Sequence, residues 1–131
     1  MADLGLGMRK ATRSDYEEVL GRLPELLQTE GFGVLTQIDV KETLRQKLGV
    51  DFRRYRILGT CNPPLAHRAL QAELEIGLML PCNVIVYEGD DGKAIVTAID
   101  PMQTIAAASD KLAPIAREVR ERLARVLEKV S

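Results

Sequence analysis

Two Cys-Asn pairs contain the residues of this chain best suited to chemistry. The chain has only two cysteines, and each is followed directly by asparagine, in Cys61-Asn62 and in Cys82-Asn83. A thiol becomes a nucleophile when it loses its proton, and a side-chain amide can orient a ligand by hydrogen bonding. The two pairs therefore predict either one shared site or two turns that only shape the fold.

The first pair lies where a helix is predicted to begin. Asn is favoured as an N-cap and Pro at the first helical position, as in Asn62-Pro63. The positive end of that helix would stabilise a Cys61 thiolate and could bind an anion. Alternatively, Cys61 and Cys82 are small apolar residues at the ends of strands. Asn83 is unusual inside a strand, so its side chain is expected to bind a loop backbone or to face a polar pocket.

His67 is the only histidine, and it lies about one helical turn beyond the predicted cap. It could act as a base for Cys61, or it could join both cysteines and Asp39 around a metal ion. The spacing of the cysteines matches no zinc-finger pattern, so no metal site is predicted. Cys61 and His67 are the candidate catalytic residues, and the sequence points to no particular cofactor.

Composition restricts the class of protein. The 131 residues are 46% hydrophobic and 28% charged, as expected for a globular domain of this length. The net charge of −1 and the 4% aromatic content argue against a nucleic-acid partner. No apolar run approaches the ~20 residues of a membrane span. The start, "MADLGLGMRK", does not resemble a signal peptide, so a cytoplasmic protein with reduced cysteines is expected.

The stretch "RRYR" at residues 53–56 is the densest basic segment of a predicted strand. A strand alternates its side chains between two faces, so these arginines cannot all lie on one surface. A solvated face or an ion-paired surface between two copies is therefore favoured over a nucleic-acid patch. We expect a homodimer.

Hydrophobic periodicity predicts the elements that position these residues. Strands are expected at 4–12, from Phe32 to Ile38, at 53–59, and in a hairpin across 83–99. Helices are expected from a cap at Ser14 to about Gly31, from a cap at Asp39 to residue 49, at about 63–77 with Leu65 on its apolar face, and at 101–130. The last helix is expected to bury one stripe: Leu112, Ile115, Ala116, Val119, Leu123, Val126 and Leu127. The order β-α-β-α-β-α-β-β-α predicts an α+β fold in one domain over residues 1–131. It would be a two-layer structure with a roughly five-stranded, mostly antiparallel sheet covered by helices on one face.

Three motifs in order resemble the domain of unknown function 302 family. They are the Cys-Asn-Pro turn at 61–63, the Pro-Cys start of a Val-rich strand at 81–82, and Asp-Pro at 100–101. "IDVKETLRQKLG" is similar to the family pattern as well, at Asp39 and Lys47. The resemblance covers about residues 31–100, a core to which a C-terminal helix at 101–131 is added. It implies a sheet backed by helices of the TATA-binding-protein-like kind, and it implies no activity.

These observations favour a small-ligand-binding domain of unknown ligand. Its pocket is expected to contain the turn of Cys61, Asn62 and Pro63, the strand start of Cys82 and Asn83, and Asp39. Helix amides, thiols and side-chain amides suit a small anionic or carbonyl ligand. One alternative is a thiol-dependent enzyme that uses Cys61. Another is a purely structural homo-oligomer in which both motifs shape turns. Neither nucleic acid nor a membrane is an expected partner.

Overall fold

The computed structural model describes residues 4–131 as a five-stranded sheet with helices packed on it. Its strand order is β1-β5-β4-β3-β2, and every neighbouring pair is antiparallel. The strands are β1 (Gly7–Ala11), β2 (Gly33–Asp39), β3 (Tyr55–Cys61), β4 (Cys82–Glu88) and β5 (Ala94–Ile99). The predicted α+β class, the antiparallel sheet and the order of its elements are confirmed. Residues 1–3 lie outside the described residues, and the first strand, predicted at 4–12, is shorter than expected at Gly7–Ala11.

Five α-helices accompany the sheet within the described chain. They are α1 (Tyr16–Thr29), α2 (Val40–Leu48), α3 (Pro63–Ala72), α4 (Ile105–Ala108) and α5 (Ala113–Lys129). Two short 3-10 helices add Leu74–Met79 after α3 and Asp110–Leu112 before α5. The helix predicted at 63–77 therefore ends earlier, and the one predicted at 101–130 is divided into three pieces.

Local chemistry sets the helix ends, with one correction at α1. The cap predicted at Ser14 is instead Asp15, whose carboxylate accepts from the Glu18 backbone N–H at 2.9 Å. Ser14 cannot open the helix because its carbonyl still accepts from Ala94 N–H of β5, at 2.9 Å. Asp39 caps α2 as predicted, by accepting from Glu42 N–H at 3.0 Å.

The helices bury one face of the sheet, which we call the covered face. Side chains on this face of β3 and β4 include Leu58, Val84 and Val86, each almost completely buried. Helix α5 packs on this face through an apolar stripe of buried residues spaced three or four apart: Ile115, Val119, Leu123 and Val126. This stripe was predicted from the sequence, and its packing accounts for the position of α5 because apolar area leaves water.

A buried carboxylate, Glu30, ties α1 to α5 at the edge of this layer. Its oxygens lie 3.0 Å from Arg125, 4.0 Å from Arg122 and 3.8 Å from Lys129. The hydrogen bond from Arg125 is the main reason that the pKa of Glu30 is lowered from its ordinary value. Gly31 follows with φ +86°, a conformation that glycine adopts without strain and that ends α1.

Candidate functional site

The two cysteines lie together at one end of the sheet. Cys82 is the register partner of Thr60 in the antiparallel pair of β3 and β4, and Cys61 is the next residue along β3. Because α3 leaves the sheet and the chain returns to the same end, the strand that follows starts where the previous one stopped. Both cysteines are free. The predictions that they share one end of the sheet and form no disulfide are confirmed.

A cavity of about 320 Å³ opens beside both thiols, between the sheet end and the helices α3 and α5. Three of its lining residues, Leu35, Thr36 and Pro81, are exposed, so the cavity reaches the surface at that rim. Its walls are mainly aliphatic or aromatic: Phe32, Leu65, Leu80, Ile105, Ile115 and Val119. Among residues 4–131, no charged side chain lines it. Such a surface attracts the apolar part of a ligand.

Two polar side chains of the cavity wall, those of Thr60 and Asn62, are bonded within the protein. The Thr60 hydroxyl donates to the Cys82 carbonyl at 2.7 Å. The Asn62 amide donates to the Glu30 carbonyl at 3.2 Å, and its oxygen accepts from Leu65 N–H at 3.4 Å. Asn62 thus caps α3, as predicted, and joins it to the end of α1. These bonds leave the wall with little capacity to bind a charged group.

The Cys82 thiol is protonated at neutral pH. Burial, with a smaller contribution from the neighbouring Cys61, raises the pKa of Cys82 from 9.0 to about 11. Burial acts in this direction because a thiolate loses its hydration in an apolar site. Cys82 therefore behaves as a small apolar side chain of the cavity, whereas Cys61 is only partly buried.

The anion site expected at the start of α3 is not formed. Its first two helical residues, Pro63 and Pro64, have no backbone N–H to offer. The next two donors are occupied, because Leu65 N–H binds the Asn62 side chain and Ala66 N–H binds the Asn62 carbonyl. The Pro-Pro sequence alone could have revealed that this helix start lacks free donors.

Asn83 does not share the cavity with Cys82. Successive side chains of a strand point to opposite faces, and Cys82 is buried on the covered face. Asn83 is therefore exposed on the opposite face, beside Ile85 and Ile99. The expectation that both halves of the second pair contribute to one pocket is wrong for this reason. The Asn83 side chain does not line the cavity.

Asp39 and His67 also lie outside the cavity lining. Gly33 of β2 pairs with Cys61, whereas Asp39 pairs with Arg56 at the far end of the same strand, about 20 Å away at the rise of an extended chain. There it caps α2 and forms an ion pair with Arg56 at 3.1 Å. His67 is exposed on α3. The structure therefore does not place either residue as a partner of Cys61, and the cavity wall supplies no base for a thiol-dependent reaction.

Residues 4–131 contain neither a metal-ion site nor a membrane-spanning helix. Within residues 4–131, no group of three or more His, Cys, Asp or Glu side chains is arranged to hold a metal ion. Nor does that part of the chain contain a helix with the length and apolar character needed to cross a membrane.

The arginines of "RRYR" are engaged in ion pairs. Arg53 lies 3.1 Å from Asp90, and Arg54 lies 2.5 Å from Glu88. Arg56 pairs with Asp39, as described above. The strand predicted at 53–59 begins later, at Tyr55. Arg53 and Arg54 therefore precede β3, and they lie on different sides of the sheet: Arg53 borders the uncovered side, while Arg54 lies over the Tyr16 ring at 5.2 Å.

Comparisons of the sequence and of the fold with known proteins identify the family of this chain. A sequence model of the family described as domain of unknown function DUF302 matches residues 8–130. The chain belongs to the DUF302 family. A crystal structure of an uncharacterized conserved DUF302 protein from Bacillus stearothermophilus is 34% identical to it, with a TM-score of 0.87. That likeness covers 96% of this chain and 98% of the other. No curated protein matches the sequence significantly.

The DUF302 motifs have visible structural roles in this chain. The Asp100 carboxylate is buried, accepts from Met102 N–H at 3.0 Å and binds Arg120 at 3.0 Å. It thereby fixes the turn between β5 and the helices. The DUF302 match also extends well beyond residues 31–100, the region that contains the motifs, and it includes all of α1 and α5.

Most of the cavity wall was not predicted as a site. Ile115 and Val119 were assigned to the buried stripe of the last helix, and Leu65 to a helix face. Periodicity identifies such residues as buried but cannot distinguish those that touch a neighbour from those that border an empty space. The helices must be packed before the cavity exists.

Proposed function

We propose that this DUF302 chain is a small-ligand-binding domain whose ligand is neutral and largely apolar. The observation that carries the proposal is a cavity of about 320 Å³ with no charged residue in its wall. Small-molecule sites are typically concave, mostly apolar and about 300–1,000 Å³ in volume. An engineered apolar cavity of about 150 Å³ already binds benzene. Cys61, Asn62 and Cys82 border this site.

The chemistry of the wall refines the ligand class expected from the sequence. An anion would lose its hydration in the cavity without gaining a charged partner among the described residues, and the first amides of α3 and the Asn62 side chain already have partners. Removing a charge from water without compensation is strongly unfavourable. A short alkyl chain or a small ring that carries at most one neutral polar group fits these walls. That group would lie near the partly buried Cys61 thiol.

In this proposal the chain functions as a homodimer in the cytoplasm. Two free cysteines, one of them buried, suit a reducing compartment. Pro63 follows the cap and is exposed, and it contributes to the site by shaping the turn rather than by contact.

Two probes of equal chain length test the ligand class. We expect 1-hexanol to raise the melting temperature and to shift NMR signals of cavity residues, because ligands that bind the folded state stabilise it. Hexanoate, which carries a charge, should do neither. Mass spectrometry of gently purified protein should in addition detect a retained neutral molecule. If 1-hexanol shifts no cavity signal, or if hexanoate binds as well, the proposal is wrong.

A pair of variants on one helix locates the binding. Ala66 lines the cavity, and A66F should fill it and weaken 1-hexanol binding at least about tenfold, since the volume is taken by the ring. Gln71 lies on the same helix, is exposed and does not line the cavity. Its variant Q71F should bind the probe like the parent protein. Equal binding by both variants would place the probe elsewhere.

A further inference from the structure

The face of the sheet opposite the helices is apolar and carries no helix over much of its area. We call it the open face and define it by Tyr55, Asn83, Ile85, Tyr87, Thr97 and Ile99, which border one broad depression. The other residues of that depression come from β1 and from the segments before β1 and β3, and none belongs to a helix. Large exposed apolar patches on a soluble chain mark interaction sites.

Aromatic residues are concentrated on this face. The chain has five aromatic residues, three Tyr and two Phe, and three of the five meet here. The rings of Tyr55 and Tyr87 stack with centroids 5.4 Å apart, and Phe52 lies 6.3 Å from Tyr55. Tyr87 is only 5% exposed within the single chain, whereas Tyr55 is partly exposed. Phe52 is 41% exposed and Leu6, at the other side of the depression, 46%. Enrichment in Tyr and Phe is typical of protein–protein interfaces.

The charge of the open face suits a protein partner. Two charged residues border the depression, Arg9 and Arg53, and Arg53 is neutralised by Asp90 at 3.1 Å. Nucleic acids and anionic lipid surfaces are bound by clusters of unpaired basic residues. The described residues of this depression contain no such cluster, and the apolar centre would be dehydrated at low cost.

The size of the face matches that of a stable dimer. With five strands of five to seven residues, the sheet is about 24 Å wide and about 17–24 Å long. Corrugation by side chains and the flanking apolar residues Leu4, Leu6 and Phe52 bring the surface near the ~800 Å² per partner of a standard interface. Two twisted sheets can stack face to face about 10 Å apart, and a two-fold axis uses the same patch twice.

The sheet edges are poorly suited to the alternative of strand pairing between copies. The outer strand β2 has a register irregularity between Val34 and Thr36, and the other outer strand, β1, carries Arg9 and Lys10. Irregular and charged edge strands are features that oppose edge-to-edge association. Face-to-face contact through the open face is therefore the favoured way for two copies to associate.

We propose that two copies of this chain stack their open faces about a two-fold axis. The dimer is a sandwich of two sheets with the helices on the outside. The two cavities then lie in the outer layers, where they remain accessible. This inference specifies the surface of the proposed homodimer and is independent of the ligand. Its failure and that of the ligand proposal are therefore distinguishable, because cavity binding of 1-hexanol is measured separately.

Light scattering or sedimentation of the full chain across a wide concentration range is the first test. We expect twice the mass of one chain and a melting temperature that rises with protein concentration, as for a dimer that dissociates on unfolding. A single-chain mass at every concentration would overturn the proposal.

The second test places a charge at the centre of the interface. I85D should weaken self-association about a hundredfold or more, because an unpaired charge would be buried between the sheets. The matched control is L78D, since Leu78 is 88% exposed and lies outside the open face; it should remain dimeric. Should I85D not unfold cooperatively, T97R at the partly exposed Thr97 serves in its place. A folded I85D or T97R variant that stays dimeric would refute the proposal.

Discussion

The covered and open faces of the sheet are almost equally apolar in sequence, yet the chain buries only one of them. Neighbouring residues make the comparison direct: Leu58 and Val84 are almost fully buried, whereas Ile57 and Ile85, one position away on the other face, are partly exposed. In a monomer with one face in water, polar residues would be expected at the outward positions. The apolar outward positions therefore support the proposed association through the open face.

The two faces also differ in how their polar groups are used. Around the cavity on the covered face, Thr60 and Asn62 are fully engaged in internal bonds. On the open face, Asn83 is exposed among apolar side chains. Satisfied polar groups define a site for an apolar ligand, and an accessible amide within an apolar surface is suited to a specific contact with another copy.

The largest expected effect on stability comes from removing most of α5, a helix that covers the sheet. A chain that ends before Val119 loses the buried side chains Val119, Leu123, Val126, Leu127 and Val130. Each is worth about 1.5–3 kcal/mol when fully buried, so their loss is comparable to the whole stability of about 5–15 kcal/mol. We expect no cooperative thermal transition by circular dichroism. A chain lacking only Ser131, which is exposed, is the control, and similar melting of both would contradict the assignment of α5.

The next prediction compares the stability costs of substituting two adjacent residues of β3, Leu58 and Ile57. L58A should lower the free energy of unfolding by about 2.7–5 kcal/mol, because it leaves a cavity under the helices. I57A should cost the isolated chain about 1 kcal/mol, as expected for a partly exposed site. Urea unfolding at low protein concentration measures both. At high concentration the cost of I57A should increase if the open faces associate. Equal costs at every concentration would mean that the two faces do not differ.

A smaller effect concerns Glu30, the carboxylate that ties the covering helices together. Its pKa is lowered in the folded protein by Arg125. It therefore contributes stability above the pKa of an unfolded glutamate, and this contribution is lost as the pH falls through the folded pKa. We expect E30Q to cost about 1.5–3 kcal/mol at pH 7, the range for hydrogen bonds to charged groups. The cost should decline below about pH 4.5.

The control for Glu30 is a carboxylate at the border of the open face. Asp90 pairs with Arg53, but its side chain is 77% exposed, and exposed pairs contribute about 0–1 kcal/mol. D90N should therefore change the unfolding free energy little at any pH. A pH-independent cost for E30Q, or an equal cost for D90N, would show that Glu30 does not act through its charge.

The smallest effect is a difference in thiol reactivity across β4. In a C61S background, Cys82 should react slowly with iodoacetamide between pH 7 and 9, since burial raises its pKa to about 11 and limits access. With C61S and C82S, a thiol introduced by N83C should react at least about tenfold faster in dilute protein, because position 83 is exposed. Protection of N83C at high concentration would support association through the open face. Rapid labelling of Cys82 would contradict its burial.

Local sequence signals predicted much of the fold. Asp39 and Asn62 were identified as caps, and both side chains accept from backbone N–H groups. The alternation in "NVIVYE" predicted β4 within one residue. Errors occurred where local signals compete: Ser14 and Asp15 are both good caps, and the hydrogen bond from β5 to the Ser14 carbonyl decides between them. The site was predicted less well, since Asp39 and Asn83 were grouped with Cys61 by residue type.

The sequence by itself determined the elements, the α+β class, the membership of the DUF302 family and the helix cap at Asn62. These depend on periodicity, capping and motifs, which are properties of neighbouring residues. Only the tertiary structure decided that Cys61 and Cys82 border one cavity while Asn83 faces the other way, and that the cavity wall carries no charge. Strand pairing, strand alternation and helix packing bring distant residues together or apart. A cavity is the space that packed side chains leave between them, so no short stretch of sequence contains it.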